Sequence, residues 1–161
     1  MGIKDNRREY DYGTLFRENL RTNPFEQFSL WMDQALEAEI VDPTAMSVAT
    51  VDPEGKPWQR MVLLKGFDER GFVFYTNLNS QKGNELKNNP KAAMCFHWKS
   101  LLRQVRINGV VKKVSDKVAD KYYNTRDYES RIGAWASKQS TILKNRNELL
   151  NSIEEYKQKP K

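Results

Sequence analysis

The first clear hydrophobic pattern along the chain is typical of an amphipathic helix. Asn23 and Pro24 open it, because asparagine caps helix N-termini and proline is favoured at the first helical position. Apolar residues then recur at helical spacing, which predicts a buried stripe made of Phe25, Phe28, Trp31, Met32, Ala35 and Leu36. Asp42-Pro43 ends the segment. Residues 1–22 before the helix are polar and are expected to form an N-terminal arm.

A strand-rich region with short connections follows. Apolar runs predict strands over residues 46–51, 57–67, 72–77, 92–98 and 103–114, with a turn at 52–55, a break near Gly66 and a bulge or close backbone approach at Gly109. Further helices are predicted over 80–89, from the cap Ser115 to about Thr125, over 132–136 and over 144–157. The last carries Leu149, Leu150, Ile153 and Tyr156 toward a core or a partner. The pattern predicts a mostly antiparallel barrel or sheet with peripheral helices, in a single domain over residues 23–161.

The composition indicates the number of domains and the expected location of the chain. The 161 residues suit one domain, and no apolar run reaches the roughly 18 to 20 residues that cross a bilayer. Met1–Tyr10 is too polar for a signal peptide or an anchor. Cys95 is the one cysteine, so no intrachain disulfide forms and a cytoplasmic location is expected. His97 is the one histidine and no Cys-x-x-Cys is present, so no metal site is predicted.

The net charge of +6 admits nucleic acid, an anionic membrane or a phosphorylated small molecule as partner. The basic residues are dispersed among acidic ones, which is typical of a solvated surface rather than a nucleic-acid interface.

Two cations bracket an apolar run in the second predicted strand, from Arg60 to Lys65. One interpretation is a buried strand with charges at its ends, and the other is a pair of cations that meet an anionic ligand. Arg60 and Lys65 have opposite parity, so a flat strand points them to opposite faces. Both reach one ligand only if the strand bends or the ligand lies across its end.

Three later segments offer further ligand-binding groups. Thr76, Ser80 and Lys82 surround a predicted helix N-terminus, which is a good phosphate site or else an ordinary cap with a solvated lysine. Gln104 can donate and accept hydrogen bonds, which suits a flavin ring edge or simply a wet strand face. Residues 122, 126 and 130 are spaced by four. On one continuous helix they would share a face and hold a second phosphate, and otherwise they form a solvated helix end.

Together these segments resemble the pyridoxamine 5′-phosphate oxidase family. The similarity runs from Arg7-Arg8-Glu9-Tyr10 through 42–46, 59–65, 74–77 and 103–105 to 132–140, and the order and spacing of the motifs are specific. The resemblance implies an FMN-binding split β-barrel and a homodimer. It also implies FMN-dependent oxidation of pyridoxamine 5′-phosphate or pyridoxine 5′-phosphate to pyridoxal 5′-phosphate, with oxygen as acceptor.

The resemblance also implies site residues, although no catalytic acid or base is assigned. The implied flavin contacts are Arg60, Met61, Val62, Leu63, Leu64, Lys65, Tyr75, Thr76, Ser80, Gln81, Lys82, Gln104, Gln139 and Ser140. The implied substrate contacts are Lys65, Tyr122, Arg126 and Ser130, with Arg7, Arg8, Glu9 and Tyr10 closing over the site.

The sequence departs from the family pattern in two places. Gln81 stands where the family commonly has arginine, which should weaken the flavin phosphate site modestly. The family's C-terminal Trp-Gly-Gly and Arg-x-His segments have no counterpart before Lys161. A segment missing from the sequence explains this, as does a short member with altered activity; the linker-like end Lys-Gln-Lys-Pro-Lys favours the former.

Two other functions fit the same sequence. One is an FMN-binding split-barrel protein without oxidase activity, such as a flavin or pyridoxal phosphate carrier. The other is a basic nucleic-acid-binding barrel, which predicts no flavin and steeply salt-dependent binding.

Overall fold

The computed structural model of the chain describes residue 4 and residues 13–38 and 41–158. Its strands are β1 Ala45–Val51, β2 Pro57–Leu63, β3 Gly66–Asp68, β4 Gly71–Val73, β5 Lys91–Trp98 and β6 Arg103–Val110. Its α-helices are α1 Pro24–Glu37, α2 Gln81–Asn88, α3 Asp116–Asn124, α4 Tyr128–Ala136 and α5 Arg146–Gln158. Short 3-10 helices lie at Arg17–Asn19 and Lys99–Leu101.

The strands form two sheets. The larger has the order β2-β1-β5-β6, and the smaller pairs β3 with β4 antiparallel, with Phe67 opposite Phe72. Antiparallel sheets with peripheral helices confirm the predicted fold class at this level. Among the described helices, none has the length and apolar character needed to cross a membrane.

The described residues fall into two compact units. The first comprises the chain up to Ser47 together with Met61–Phe74 and Met94–Ile107, and the second comprises Val48–Arg60, Tyr75–Ala93 and the chain from Asn108 onward. The single domain over residues 23–161 stays a prediction.

Helix α1 begins as its sequence predicts. The Asn23 side chain accepts a hydrogen bond from the Phe25 backbone N–H at 2.8 Å, and Pro24 is the first helical residue. The stripe is narrower than predicted, because Leu36 is 54% exposed. Gln27 is buried instead, since its side-chain oxygen accepts the Arg21 backbone N–H at 2.8 Å and so satisfies a polar group inside.

Aromatic packing forms the core of the first unit. The Phe28 ring lies 4.8 Å from Phe67, 4.9 Å from Phe72 and 5.1 Å from Phe96, measured between centroids. Edge-on and tilted rings at these separations add favourable contacts beyond their area burial. The Trp98 indole N–H donates to the Pro43 carbonyl at 2.8 Å, so the one polar atom of this buried ring is satisfied.

In the second unit, α3 begins at its predicted cap and α4 contacts α5. Ser115 accepts the Val118 N–H and begins α3 as predicted. The α4 residues Ile132 and Ala136 are buried, and Ser152 of α5 donates to the Ala136 carbonyl at 3.2 Å. Of the predicted α5 stripe, Leu149, Ile153 and Tyr156 are half-buried and Leu150 is 46% exposed.

Two predicted strand ends are wrong, and one of the two interpretations of Gly109 is excluded. The third predicted strand, over 72–77, ends at Val73, because Asn77 forms a turn in which its carbonyl accepts the Ser80 N–H and its side chain the Asn79 N–H. The fifth ends at Val110 instead of residue 114. No close backbone approach occurs at Gly109, since a Cβ there meets no atom within 4 Å.

Candidate functional site

The candidate site is built around the start of α2 in the second unit. Ser80 is fully buried and caps the helix: its hydroxyl accepts the Gly83 N–H at 3.3 Å and donates to the Asn77 carbonyl at 2.6 Å. A Cβ on Gly83 would lie 2.3 Å from the Leu78 carbonyl oxygen, so only glycine permits this close approach. The helix N-terminus is therefore fixed in place, with the partial positive charge of its first N–H groups.

Lys82, in the first turn of α2, is 6% exposed. Its ammonium nitrogen lies 3.1 Å from the Thr76 hydroxyl and 3.4 Å from the side-chain oxygen of Gln139. Thr76 also donates to that oxygen at 3.3 Å. Three predicted ligand-binding residues, of which Gln139 is 57 positions from Lys82 in sequence, thus converge in one cluster. The alternative of a solvated lysine is wrong.

The surroundings of Lys82 disfavour an unpaired charge. Burial lowers the pKa of Lys82, and the nearby positive charge of Arg60 lowers it further, while Glu85 acts in the opposite direction. The hydrogen-bond partners that the structure describes for its ammonium group are both neutral. A buried cation held by neutral oxygens gains strongly from an anionic ligand, because the ligand would offset the cost of burial.

Arg60 belongs to an adjoining network centred on Glu85, a residue of α2 that is 4% exposed. The Arg60 Nη2 atom lies 3.1 Å from Glu85 Oε2, and Gln81 donates to Glu85 Oε1 at 2.8 Å. Thr50, also fully buried, donates to Glu85 and accepts from Arg60 Nη1. Burial acts to raise the pKa of Glu85, but hydrogen bonds from Thr50, Gln81 and Arg60 outweigh it, so the pKa is lowered and the carboxylate is ionised.

Tyr75 and Tyr122 stack in parallel, with ring centroids 3.8 Å apart and planes 3° apart. A predicted flavin contact thus touches a predicted substrate contact. The shared helical face of residues 122, 126 and 130 is wrong, however. Helix α3 ends at Asn124 and α4 begins at Tyr128, which places Arg126 in the connection and Ser130 on a different helix. The Thr125 hydroxyl donates to the Tyr122 carbonyl and helps to end α3.

The remaining predicted contacts of the first unit lie along β2 and β6. Met61 is 64% and Leu63 41% exposed, so the interpretation of 61–64 as a fully buried run is wrong, although Leu64 is buried and Val62 half-buried. Lys65 follows the end of β2 and is exposed, and its backbone N–H donates to the Val73 carbonyl at 2.8 Å. Gln104 is exposed on β6.

Ser140 is exposed in the second unit, with a backbone φ of 66°. The predicted substrate residues Arg7, Arg8, Glu9 and Tyr10 lie outside the described residues. Within the part of the chain that the structure describes, no group of three or more His, Cys, Asp or Glu side chains could hold a metal ion.

Thr50 and Glu85 are the site residues that the sequence prediction missed. Thr50 continues the buried alternation of Met46 and Val48 on β1, so its hydroxyl in an otherwise apolar series was a usable signal. Glu85 lies four residues after Gln81, a spacing that permits side-chain contact on a helix. Nothing in the sequence indicates that Arg60 joins them.

Comparison with known proteins gives matches over most of the chain. The family model described as "Pyridoxamine 5'-phosphate oxidase" matches residues 32–159. A pyridoxine/pyridoxamine 5′-phosphate oxidase from Pelagibacter ubique is 69% identical over 139 residues, covering 86% of this chain and 67% of that relative. One from Gloeothece citriformis is 52% identical over 159 residues, covering 99% of this chain and 74% of that relative.

Solved structures show the same fold. PhzG from Burkholderia lata, in complex with tetrahydrophenazine-1-carboxylic acid, has a TM-score of 0.83 at 26% identity, over 89% of this chain and 72% of that one. A pyridoxamine 5′-phosphate oxidase-related, FMN-binding protein from Nostoc punctiforme has a TM-score of 0.61 at 17% identity, over 81% of this chain and 73% of that one, a likeness of fold alone.

The fold and these matches define an oxidoreductase class built on antiparallel sheets. The chain belongs to the pyridoxamine 5′-phosphate oxidase family.

Proposed function

We propose that the chain binds FMN and oxidises pyridoxamine 5′-phosphate or pyridoxine 5′-phosphate to pyridoxal 5′-phosphate, with oxygen as acceptor. The observation that carries the proposal is the buried Lys82, held against Thr76 and Gln139 at the N-terminus of α2. This donor set matches a phosphate monoester: a cation, a hydroxyl and the first N–H groups of a helix. The names of the relatives supply the substrate class.

The described residues fit the phosphate end of FMN. Lys82 and the first N–H groups of α2 would hold the phosphate, with Arg60 adding positive charge nearby. Thr76 and Gln139, which accept hydrogen bonds from Lys82, would keep its ammonium group directed toward the ligand. Bound FMN supplies the two-electron redox chemistry that the side chains here lack. The remaining flavin contacts, among them Gln104 and Ser140, are proposed from the family resemblance.

The chain's own task in catalysis is then to orient the substrate. Lys65, Tyr122, Arg126 and Ser130 would grip its phosphate and bring its reacting carbon to the flavin. The contact between the Tyr75 and Tyr122 rings supports this proposal, because one ring belongs to a proposed flavin contact and the other to a proposed substrate contact. We also propose a split-barrel homodimer that acts in the cytoplasm, where Cys95 stays reduced.

Two measurements on the purified chain test the proposal. Bound flavin gives the protein a visible absorbance spectrum, and turnover of pyridoxine 5′-phosphate releases pyridoxal 5′-phosphate and hydrogen peroxide. We expect both. A yellow protein that releases no peroxide is a carrier, and a colourless one that binds nucleic acid with steep salt dependence is the basic barrel. Either result refutes the oxidase.

A further inference from the structure

We propose that Glu85 is the positioning residue of the FMN phosphate site, which holds Arg60 in place beside Lys82. The inference rests on the proposed function and adds to it a residue that makes no contact with the ligand. It follows from the arrangement of hydrogen bonds, burial and charge in the second unit.

The geometry gives Glu85 a fixed place. Both carboxylate oxygens accept hydrogen bonds: Oε1 from Gln81 at 2.8 Å, and Oε2 from Thr50 and from Arg60, the latter at 3.1 Å. Because its donors come from β1, β2 and α2, the carboxylate ties three elements together. At 4% exposure it has almost no contact with water, so its orientation depends on these partners.

Arg60 in turn depends on Glu85. Its Nη1 atom donates to Thr50 and lies 3.2 Å from the Trp58 carbonyl, while its Nη2 atom is bonded to Glu85. The long side chain of Arg60 is 20% exposed, and it keeps one rotamer only if hydrogen bonds hold its guanidinium group. Removal of the carboxylate leaves Nη2 without that anchor, while Nη1 keeps Thr50 and the Val48 and Trp58 carbonyls as acceptors, so the guanidinium is held at one end and is no longer fixed in one orientation.

Glu85 also offsets part of the positive charge of Arg60 and Lys82. Burial lowers the pKa of Lys82 and repulsion from Arg60 lowers it further, whereas Glu85 attracts both cations. Two cations and one carboxylate leave a net charge of about +1 before a phosphate binds. Glu85 thus lets two cations share a buried site without driving the proton off Lys82.

A carboxylate so close to a phosphate site has a second possible effect, which is repulsion of the ligand. The two effects predict opposite results for a neutral replacement. If positioning dominates, Glu85→Gln weakens FMN binding; if repulsion dominates, it tightens binding. The three donors that already occupy the carboxylate favour positioning.

The test is titration of the flavin-free full chain with FMN, followed by flavin fluorescence. We expect Glu85→Gln to raise the Kd for FMN by about tenfold or more, as loss of one oriented charge-assisted hydrogen bond does. Glu154→Gln removes a charge from an exposed residue of α5 and should leave the Kd unchanged. Glu85→Asp keeps the charge but shortens its reach, so it should raise the Kd by a smaller factor.

A pH series separates positioning from general damage to the fold. FMN affinity should fall as pH rises through the pKa of Lys82, because the bound phosphate needs its charge. Among the described charged groups, Arg60 lowers the pKa of Lys82 and Glu85 raises it, and the effect of Arg60 is the larger of the two. If Glu85→Gln frees Arg60 from its place beside Lys82, both effects are lost, and the fall should begin at higher pH than in the wild type. If Arg60 stays in place, only the effect of Glu85 is lost, and the fall begins at lower pH.

The outcomes are distinct. A weaker Kd together with a pH profile shifted to higher pH supports the inference. An equal or tighter Kd, or a weaker Kd with a pH profile that is unchanged or shifted to lower pH, overturns it while the proposed function stands. If Glu85→Gln does not fold, Glu85→Asp decides, and wild-type binding by that variant overturns the inference. A wild-type chain that binds no FMN overturns the proposed function and this inference with it.

Discussion

Replacement of Lys82 by methionine should separate function from stability, because FMN binding should respond strongly and the stability of the folded chain only weakly. The side chain keeps its length and apolar character but loses the ammonium group. Loss of its bonds to Thr76 and Gln139 costs about 0.5–1.5 kcal/mol each in the folded chain. Relief of the burial penalty and of the repulsion from Arg60 offsets that cost. We therefore expect the free energy of unfolding of the FMN-free chain to change by less than about 1 kcal/mol.

FMN binding should respond strongly to the same change. A charge-assisted hydrogen bond to a phosphate contributes about 1.5–3 kcal/mol, so Lys82→Met should raise the Kd for FMN by about 10- to 150-fold. Flavin fluorescence titration gives the Kd, and urea unfolding of the FMN-free chain gives the stability. Lys87→Met is the matched control, because Lys87 is exposed in the last turn of the same helix. A strongly destabilised Lys82→Met variant with wild-type FMN affinity would refute the reasoning.

Three further predictions test neighbouring features. Gly83→Ala should lower the free energy of unfolding, measured in urea, by about 1–3 kcal/mol, because the added Cβ meets the Leu78 backbone. Gly133→Ala in α4 is the control and should raise the free energy of unfolding, because a Cβ there meets no atom within 4 Å. Equal effects would contradict the close approach. Arg126→Ala should raise KM for pyridoxine 5′-phosphate much more than it lowers kcat, and steady-state kinetics with an unchanged KM would count against the substrate assignment. Because the pKa of Lys82 is lowered in the folded chain, the unfolded chain binds more protons between that pKa and the ordinary value of about 10.4. The free energy of unfolding of the FMN-free wild type should therefore increase relative to that of Lys82→Met as pH rises through this window. A constant difference in urea unfolding would refute the burial effect.

Local signals predicted much of the fold. Asn23, Ser80 and Ser115 cap the helices they were expected to cap, because capping depends on the few residues around each helix end. The turn after β1 also forms as predicted, with the Gly55 N–H bonded to the Asp52 carbonyl at 3.0 Å. These features need no knowledge of the distant chain.

Features that depend on tertiary contacts were predicted less well. Leu36 fits the helical period yet is exposed, since the width of a buried stripe depends on what packs against it. Helix α3 ends near Thr125 as predicted, so the conditional interpretation in which Tyr122 and Arg126 share one continuous helix does not hold. Lys82 and Gln139 were both predicted as ligand contacts, whereas their mutual contact comes only from the folded chain.

The network around Glu85 shows the same limit. A glutamate within an amphipathic helix is typical of a solvated face, and only its contacts with Thr50 and Arg60 reveal a buried carboxylate. The spacing to Gln81 predicts one of its hydrogen bonds, while those to the strands require the tertiary structure.

A crystal structure of the chain with FMN tests the central claim most directly. We predict phosphate oxygens at about 2.7–2.9 Å from the ammonium nitrogen of Lys82, with the first backbone N–H groups of α2 directed at the same phosphate. A phosphate bound elsewhere, with Lys82 still bonded only to Thr76 and Gln139, would contradict the account.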